Sequence, residues 1–188
     1  MNNIVIRKTK IDDAEKFVKF NNAIQRETYA NIFPQRAFDD MDAESDERIK
    51  KFKESDINKN NHVGFVAFDG DTLIGYAEGS LEHDYEHFAK QGFSEFAIYI
   101  SPTHQHIGLG KKFFDMVTQE LRDKGSKKLA FGVLAINTKA RKAYEKWGCK
   151  LDDYSAPLKR FGNEYPEVFY TYDLGVQTHC ATLRQVWS

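Results

Sequence analysis

The sequence predicts an α/β fold with a mixed central sheet flanked by helices. Strand-like and helix-like segments follow one another in the order β, α, α, β, β, β, α, β, α, β, β. A glycine-rich turn joins a strand pattern to a helix pattern near the middle of the chain. No repeat or linker divides the 188 residues, a length that suits one domain with a sizeable core. We expect one domain at 1–174 and an extension at 175–188, whose composition does not decide its structure.

The first half of the chain contains two helical regions followed by a hairpin. Its predicted elements are a strand at 3–8, a helix opened by Asp12 and Asp13, a second helical region carrying Phe38, Met41, Ile49 and Phe52, and strands at 62–68 and 72–81. Apolar side chains recur at helical period after the acidic pair. The run Asp69-Gly70-Asp71 predicts the hairpin turn. Residues 82–94 are expected to form a polar loop.

The second half contains two strand–helix pairs and then two strands. Its predicted elements are a strand at 96–100, a helix at 111–124, a strand at 127–133, a helix between Asn137 and Gly148, and strands at 150–154 and 167–174 around a turn at 161–164. Asn137 is a typical helix cap and Gly148 a typical stop. Five apolar side chains share one face of the first helix and are expected to pack on the sheet: Leu109, Phe113, Met116, Val117 and Leu121.

Composition limits the functional classes. The net charge of −1 provides no electrostatic footprint for nucleic acid. Charged residues make up 29% and aromatic residues 14%, which is typical of a soluble globular enzyme. The apolar runs are too short to span a bilayer, and no signal peptide is visible. With only Cys149 and Cys180, a disulfide scaffold is not expected, and we predict a cytoplasmic location.

The glycine-rich turn at 105–110, Gln-His-Ile-Gly-Leu-Gly, predicts a phosphate site. A turn of this kind before a helix aims backbone N–H groups at an anion, and glycines let the anion approach closely. Lys111 and Lys112 follow at the expected first helical turn. The helix dipole disfavours cations there by about 0.3–1 kcal/mol each, a cost that a bound pyrophosphate would explain.

Two well-known phosphate loops do not fit this turn. A Walker A loop needs glycine at 105 and serine or threonine at 112, where the chain has Gln105 and Lys112. A dinucleotide fingerprint needs a third glycine where Phe113 stands, and an acid about 20 residues further on. No Asp or Glu occurs between Asp123 and Glu145.

The remaining pattern, Gln-x-x-Gly-x-Gly after a strand, resembles the acetyl-CoA loop of the GNAT N-acetyltransferase superfamily. A second segment resembles the second cofactor motif of that superfamily, with Asn137, Ala140, Tyr144 and Gly148. Taken singly, the first is also compatible with a tight turn and the second with a capped amphipathic helix. Their order and spacing carry the resemblance over 3–174. It implies a mostly antiparallel sheet whose central strands splay to hold acetyl-CoA.

The resemblance also implies how the cosubstrate is held. Main-chain groups would bind its pyrophosphate, the central strand would pair with its pantetheine arm, Asn137 would contact that arm, and Tyr144 would protonate the leaving thiolate. A free N–H of the strand would polarise the thioester carbonyl. The residues so implied are Ile98, Tyr99 and Ile100 in the strand, and Gln105, His106, Ile107, Gly108, Leu109, Gly110 and Lys111 in the loop. No metal is expected, since His83 and His87 have no third ligand in sequence.

The acceptor side is less defined by the sequence. Glu95 and Glu78 are the candidate general bases, directly or through water, and each is equally compatible with a solvated strand residue. Tyr99 shares a sheet face with Glu95 and is a candidate for the acceptor pocket. The segment from Arg26 to Pro34 is similar to bacterial polyamine N-acetyltransferases, which makes Glu27 and Tyr29 candidate substrate residues.

Several alternatives stay open. Amino acids, antibiotic amines and protein N-termini are other acceptors, although the non-acidic segment 131–136 weakens the last. We predict a small-molecule amine as the partner, with no nucleic acid or membrane, and the resemblance admits a homodimer. The runner-up function is a non-catalytic acyl-CoA-binding or regulatory module on the same fold. Transfer of longer acyl groups is a third option.

Overall fold

The computed structural model describes residues 4–55 and 61–175. Its helices are α1 (Ala14–Tyr29), α2 (Gln35–Ala43), α3 (Ser45–Glu54), α4 (Glu86–Ala89), α5 (Leu109–Asp123) and α6 (Thr138–Lys146). Its strands are β1 (Ile4–Lys8), β2 (His62–Asp69), β3 (Thr72–Ser80), β4 (Ser94–Ile100), β5 (Lys128–Leu134), β6 (Lys150–Arg160) and β7 (Asn163–Asp173). Single 3-10 turns lie at Ile11–Asp13 and Pro102–His104. None of these helices is long and apolar enough to cross a membrane.

The seven strands form one sheet in the order β1-β2-β3-β4-β5-β7-β6. All neighbours are antiparallel except β4 and β5, which run parallel. These two strands pair only at Ser94 with Leu129 and at Glu95 with Ala130, and then separate. The predicted mixed, mostly antiparallel sheet with splayed central strands is confirmed.

Helix α5 packs closely on one face of the sheet because β3 carries glycines beneath it. A Cβ at position 79 would lie 2.7 Å from Val117 Cγ1 and 3.0 Å from Leu121 Cδ1. Phe113, Val117 and Leu121 are fully buried there. The predicted apolar face of this helix is therefore its packing face.

Helices α1 to α3 cover the opposite face of the sheet. Phe17 of α1 packs against Tyr76 of β3, with ring centroids 4.4 Å apart. Arg7 of β1 donates two hydrogen bonds to Asp13, which also accepts one from the Lys10 N–H. These bonds hold the start of α1 against the edge of the sheet.

The structure corrects four sequence expectations. The second helical region is two helices, α2 and α3, that meet at Glu44. Residues 82–94 are not a purely polar loop, because they contain α4 and the fully buried Phe88. Helix α5 begins at Leu109 rather than at 111, because Gly108 is its left-handed cap.

The fourth correction concerns the last two strands: β6 continues to Arg160 rather than stopping at 154, and β7 begins at Asn163 rather than at 167. Its register with β7 shifts between Leu151 and Ser155, and pairing then resumes through Pro157. Edge position permits this proline, since one side of β6 needs no N–H donor. The predicted extension falls on 175–188, and 176–188 lie outside the described residues.

Candidate active site

A cleft of about 670 Å³ opens where β4 and β5 separate. Its walls come from α1 and the segment after it, the outer part of β4, the glycine loop, the end of β5, α6, and the β6–β7 pair. Ten of its lining residues were predicted from sequence: Glu27, Tyr29, Ile98, Tyr99, Ile100, Gln105, His106, Gly110, Asn137 and Tyr144. The fold therefore brings these ten residues to one cavity, whereas the predicted loop residues Ile107, Gly108, Leu109 and Lys111 do not line it.

The glycine loop presents a row of free N–H groups at one end of this cleft. The first helical bond of α5 runs from the Lys112 N–H to the Gly108 carbonyl. Within the described part of the chain, the N–H groups from 106 to 111 have no hydrogen-bond acceptor. His106 and Gly108 have positive φ angles of 63° and 86°, and a Cβ at 108 would meet open space. The loop therefore has the geometry of an anion site.

Individual loop side chains have structural tasks as well. Gln105 Nε2 donates to the Ile100 carbonyl at 3.0 Å and so ties the loop to the end of β4. A Cβ at position 110 would lie 3.0 Å from the Trp147 ring, so this glycine is also required by packing. Lys111 pairs with Asp115 one turn along α5. Its charge therefore has a local partner, and its position alone does not require an anion.

Strand β4 offers an unpaired edge to the cleft. The Ser101 N–H donates to the Ile74 carbonyl of β3 at 2.9 Å. Because N–H directions alternate along a strand, the N–H groups of Ile98 and Ile100 point away from β3, toward the gap. Within residues 4–55 and 61–175, no strand pairs with that side beyond Glu95. An extended ligand can therefore pair with this edge.

Tyr144 reaches the cleft from α6. The side-chain oxygen of Asn137 caps this helix by accepting from the Ala140 N–H at 3.1 Å. The Tyr144 ring packs 4.7 Å from the Phe131 ring and is 8% exposed. Burial, reinforced by the nearby Tyr99 phenol, raises the pKa of Tyr144 above its usual range. The phenol therefore stays protonated at neutral pH.

Phenol groups also gather on the acceptor side. Tyr29 of α1 and Tyr99 of β4 line the cleft with Tyr144. Burial is the main reason that the pKa of Tyr29 is raised, and the closeness of Tyr99 adds to it. Tyr29 therefore keeps its proton at neutral pH, and phenol side chains line this side of the cavity.

The two candidate bases lie near the cleft but do not line it. Glu78 and Glu95 are on the sheet face that carries Tyr99, since antiparallel partners share a face. Burial raises the pKa of Glu78 to about 7. Burial, with the negative charge of Asp84, raises the pKa of Glu95 to about 7. Both groups are thus close to half-ionised at neutral pH.

A third glutamate, which the sequence analysis did not single out, does line the cleft. Glu167 of β7 is half-buried and accepts a hydrogen bond from the Tyr85 hydroxyl. Gly132 of β5 leaves room for it, because a Cβ there would lie 2.6 Å from Glu167 Cδ. Arg160 of β6 also lines the cavity. An isolated glycine inside a predicted strand signals a close approach of this kind, and Gly132 was that signal.

The weaker sequence signals belong to packing. The His87 ring stacks on Tyr154 with a centroid distance of 4.0 Å, and His83 Nδ1 accepts from the Tyr85 N–H. Among residues 4–55 and 61–175, no three His, Cys, Asp or Glu side chains form a group that could hold a metal. Cys149 is buried in the main core.

Comparison with known proteins identifies the family. The sequence model of the acetyltransferase (GNAT) family matches residues 22–149. The uncharacterized N-acetyltransferase in the pepI 3′ region of Lactobacillus delbrueckii subsp. lactis is 29% identical over 136 residues, and the match covers 67% of this chain and 75% of that protein.

Solved structures share the fold. The structure of yncA from Salmonella typhimurium with its cofactor acetyl-CoA has a TM-score of 0.69 and 20% identity, covering 96% of this chain and 98% of the other. The PaiA N-acetyltransferase of Thermoplasma acidophilum in complex with coenzyme A has a TM-score of 0.67 and 21% identity, covering 90% and 99%. Together with the family match over more than half of the sequence, these findings show that the chain belongs to the acetyltransferase (GNAT) family, whose members are acyltransferases that use acetyl-CoA.

Proposed function

We propose that this protein transfers the acetyl group of acetyl-CoA directly to a primary amine. The observation that carries the proposal is the meeting of three features in one cleft. These features are the unpaired N–H groups of the glycine loop, the open edge of β4 and the buried phenol of Tyr144. The fold match to a relative solved with acetyl-CoA supports the same cosubstrate.

The proposed cosubstrate site uses main chain more than side chains. The N–H groups from 106 to 111 would hold the pyrophosphate at the start of α5, as a helix N-terminus holds an anion. Ile98 and Ile100 would pair with the pantetheine arm as a strand pairs with its neighbour. Asn137 Oδ1 already caps α6, so its amide nitrogen is the group left to contact the arm.

The proposed chemistry needs an acid, a base and a polarising donor. Tyr144 stays protonated and would give its proton to the departing sulfur. A thiol of this kind has a pKa of about 8.5, so this proton transfer assists the reaction without being obligatory. The N–H of Ile98 or Ile100 would polarise the thioester carbonyl. Glu95 and Glu78 do not line the cleft, so either could serve as the base only through water.

The acceptor is proposed to enter beside α1. Glu27, Tyr29 and Tyr99 line that side, which keeps polyamines among the candidates. Arg160 lines the same cavity, so the acceptor side carries both signs of charge. An acceptor panel therefore has to include amines with a carboxylate as well as polycations.

The test is release of the CoA thiol at saturating acetyl-CoA with a panel of amines. Spermidine, amino acids, aminoglycosides and N-terminal peptides would be compared at pH 7.5. Amine-dependent release together with a product heavier by one acetyl group is the expected result. Release that is independent of amine would mean thioester hydrolysis and would contradict the proposal.

A second candidate function is a non-catalytic acyl-CoA-binding module. The observation in its favour is that Glu78 and Glu95 stand back from the cleft. Calorimetric binding of acetyl-CoA without turnover of any amine would select it. Binding of longer acyl-CoA thioesters in the same titration measures the acyl preference.

A further inference from the structure

We infer that Glu167 is the carboxylate that receives the acceptor amine and takes its proton. This inference rests on the proposed acetyl transfer and deepens it by naming a residue for the acceptor half of the site. Neither the family motifs nor the sequence pattern singled out Glu167. Four observations on its position and surroundings carry the assignment.

The first observation is where the backbone places it. Glu167 lies on β7 opposite Leu134, at the end of β5 where the gap from β4 has opened. Cross-strand partners share a sheet face, so Glu167 lies on the face of Leu134 and Gly132, which also line the cleft. The carboxylate thus lies over the face of β5, beside the gap between the central strands, and lines the cleft.

The second observation is the space kept for it. Gly132 lies beneath the Glu167 side chain, and a Cβ at that position would lie 2.6 Å from Cδ and overlap Oε1. Any other residue at 132 would displace the carboxyl group. The space above Gly132 is therefore matched to the carboxyl group of Glu167.

The third observation is that its two oxygens differ. Oε2 accepts the hydrogen bond from the Tyr85 hydroxyl, which fixes the orientation of the group. Oε1 lies over Gly132 and has no hydrogen-bond donor among the described residues. One oxygen is held by the protein while the other is available to an ammonium group.

The fourth observation is its electrostatic setting. Burial raises the pKa of Glu167, while the Tyr85 hydroxyl opposes that shift. The titratable groups that interact with it are Tyr85 from the loop before α4 and Glu95 from β4, and Arg160 of β6 lines the same cleft further along the strand. The negative charge of Glu167 is one of the causes that raise the pKa of Glu95, so a cation bound at Glu167 would also relieve that repulsion.

The step balances without a further reactant. The acceptor arrives as an ammonium ion and Glu167 takes one proton, leaving a neutral amine with a free electron pair. The new N–C bond forms as the C–S bond breaks. The second proton lost by nitrogen reaches the sulfur through Tyr144, which gives its own proton and is reprotonated. Glu167 later releases its proton to solvent.

The experiment compares Glu167→Gln with Glu95→Gln and Glu78→Gln in the full-length protein, and the latter two, whose carboxyl groups do not line the cleft, should lose less activity. For Glu167→Gln we expect kcat/KM for the amine to fall about 100-fold or more, the usual range for losing a general base. The Kd for acetyl-CoA is expected to stay within about twofold, which also shows that the variant is folded. The loss of kcat/KM in Glu167→Gln should be smaller with an arylamine acceptor, because that amine is already neutral at pH 7.

Tyr85→Phe tests Glu167 through the pH dependence of kcat/KM, which would not change if Glu167 had only a structural role. Loss of the hydroxyl donor removes the bond that lowers the pKa of Glu167, so the acidic limb of the kcat/KM profile should move to higher pH. Tyr172→Phe, on the far side of β7, is the matched control and should leave the profile in place.

Two results would overturn the assignment. One is a Glu167→Gln enzyme whose kcat/KM stays within about threefold of the parent. The other is an equal deficit for alkylamine and arylamine acceptors, which would assign Glu167 to packing. Absence of amine acetylation in the parent protein would instead refute the proposed function, and this inference with it. Measuring amine acetylation by the parent protein thus distinguishes a failure of the proposed function from a failure of the Glu167 assignment.

Discussion

Tyr144 shows how a single residue acquires a chemical task from its surroundings. Its ring is enclosed by Phe131, Trp147 and Tyr170, while the residue still lines the cleft. Burial disfavours the phenolate, so the group remains a proton donor across the neutral range. The helix cap at Asn137 and the aromatic neighbours thus fix both its position and its protonation state.

Replacing Tyr144 with Phe keeps the packing and removes the proton. We expect kcat to fall about 10- to 1000-fold, near the range for general acid catalysis, while the Kd for acetyl-CoA stays unchanged. Steady-state kinetics and calorimetry measure the two quantities. Tyr172→Phe should behave as the parent enzyme. An unchanged kcat with intact binding would exclude the acid role.

Glu78 allows a prediction about stability and pH. In the folded protein the Glu78 carboxyl group keeps its proton up to about pH 7, whereas in an unfolded chain a glutamate loses its proton near pH 4.3. A raised folded-state pKa means that stability is fully present below the unfolded pKa and falls as pH rises toward 7. Glu78→Gln should therefore be more stable than the parent at pH 8, by about 1 to 3 kcal/mol, and equal to it at pH 4.

Urea unfolding at the two pH values measures this difference. The matched control is Glu82→Gln, an exposed position that should show no such dependence on pH. A parent protein that gains stability on ionisation of Glu78 would show that a cationic partner offsets the charge.

Local patterns revealed some site residues and not others. Asn137 and Tyr144 were predictable because the cap and the phenol lie on one helix at fixed spacing. Glu167 was not, because its role depends on the pairing of β7 with β5, and Tyr85 contacts it across 82 residues. Sequence spacing carries no information about such a contact, and only Gly132 pointed to it.

At the scale of elements, close approach of α5 to β3 depends on Gly79. A methyl group there would meet Val117 at 2.7 Å, and overpacking of this kind costs about 1–3 kcal/mol. We expect Gly79→Ala to lower the free energy of unfolding by that amount. Val117→Ala is itself destabilising, but combined with Gly79→Ala it should recover part of the loss.

A double-mutant cycle by urea unfolding checks this coupling. Gly92→Ala is the reference for glycine removal outside the packing face: a Cβ there has open space, so its cost comes from the positive φ of 74° alone, about 1–2 kcal/mol. Additive effects of the two core changes would contradict direct contact between the helix and the strand.

Elements were predictable where the signal lay within one segment. The hairpin of β2 and β3 follows from its turn, and α5 from its apolar stripe. Helix α4 is only four residues long, which is too short to show a helical repeat of apolar residues in the sequence. Its Phe88 is buried by partners on β6 and β7. The length of β6 likewise depends on pairing with β7 rather than on its own sequence.

For the molecule as a whole, the position of Leu174 predicts where the domain can end. Its side chain is fully buried, its N–H donates to the Lys127 carbonyl, and its carbonyl accepts from Arg122 Nε. A chain ending at Gly175 should keep its activity and its Tm. A chain ending at Asp173 should lose about 2–5 kcal/mol, the usual cost of emptying a buried leucine site.

Thermal unfolding of the two truncated chains measures this prediction. A loss of that size corresponds to a fall in Tm of about 4–20 °C for a domain of this length. A fall in Tm on removing only 176–188 would show that those residues pack on the domain, contrary to the expected boundary.

The two-residue pairing of β4 with β5 has a consequence for hydrogen exchange. A sheet that closed along its full length would protect its central amides in the free protein. Here the amides of Ile98 and Ile100 have no strand beside them in the part of the chain that the structure describes. We expect both to exchange quickly without ligand and slowly with acetyl-CoA, while Phe131 exchanges slowly in both states. The interstrand bonds that this sheet lacks would then contribute to affinity instead of to folding stability.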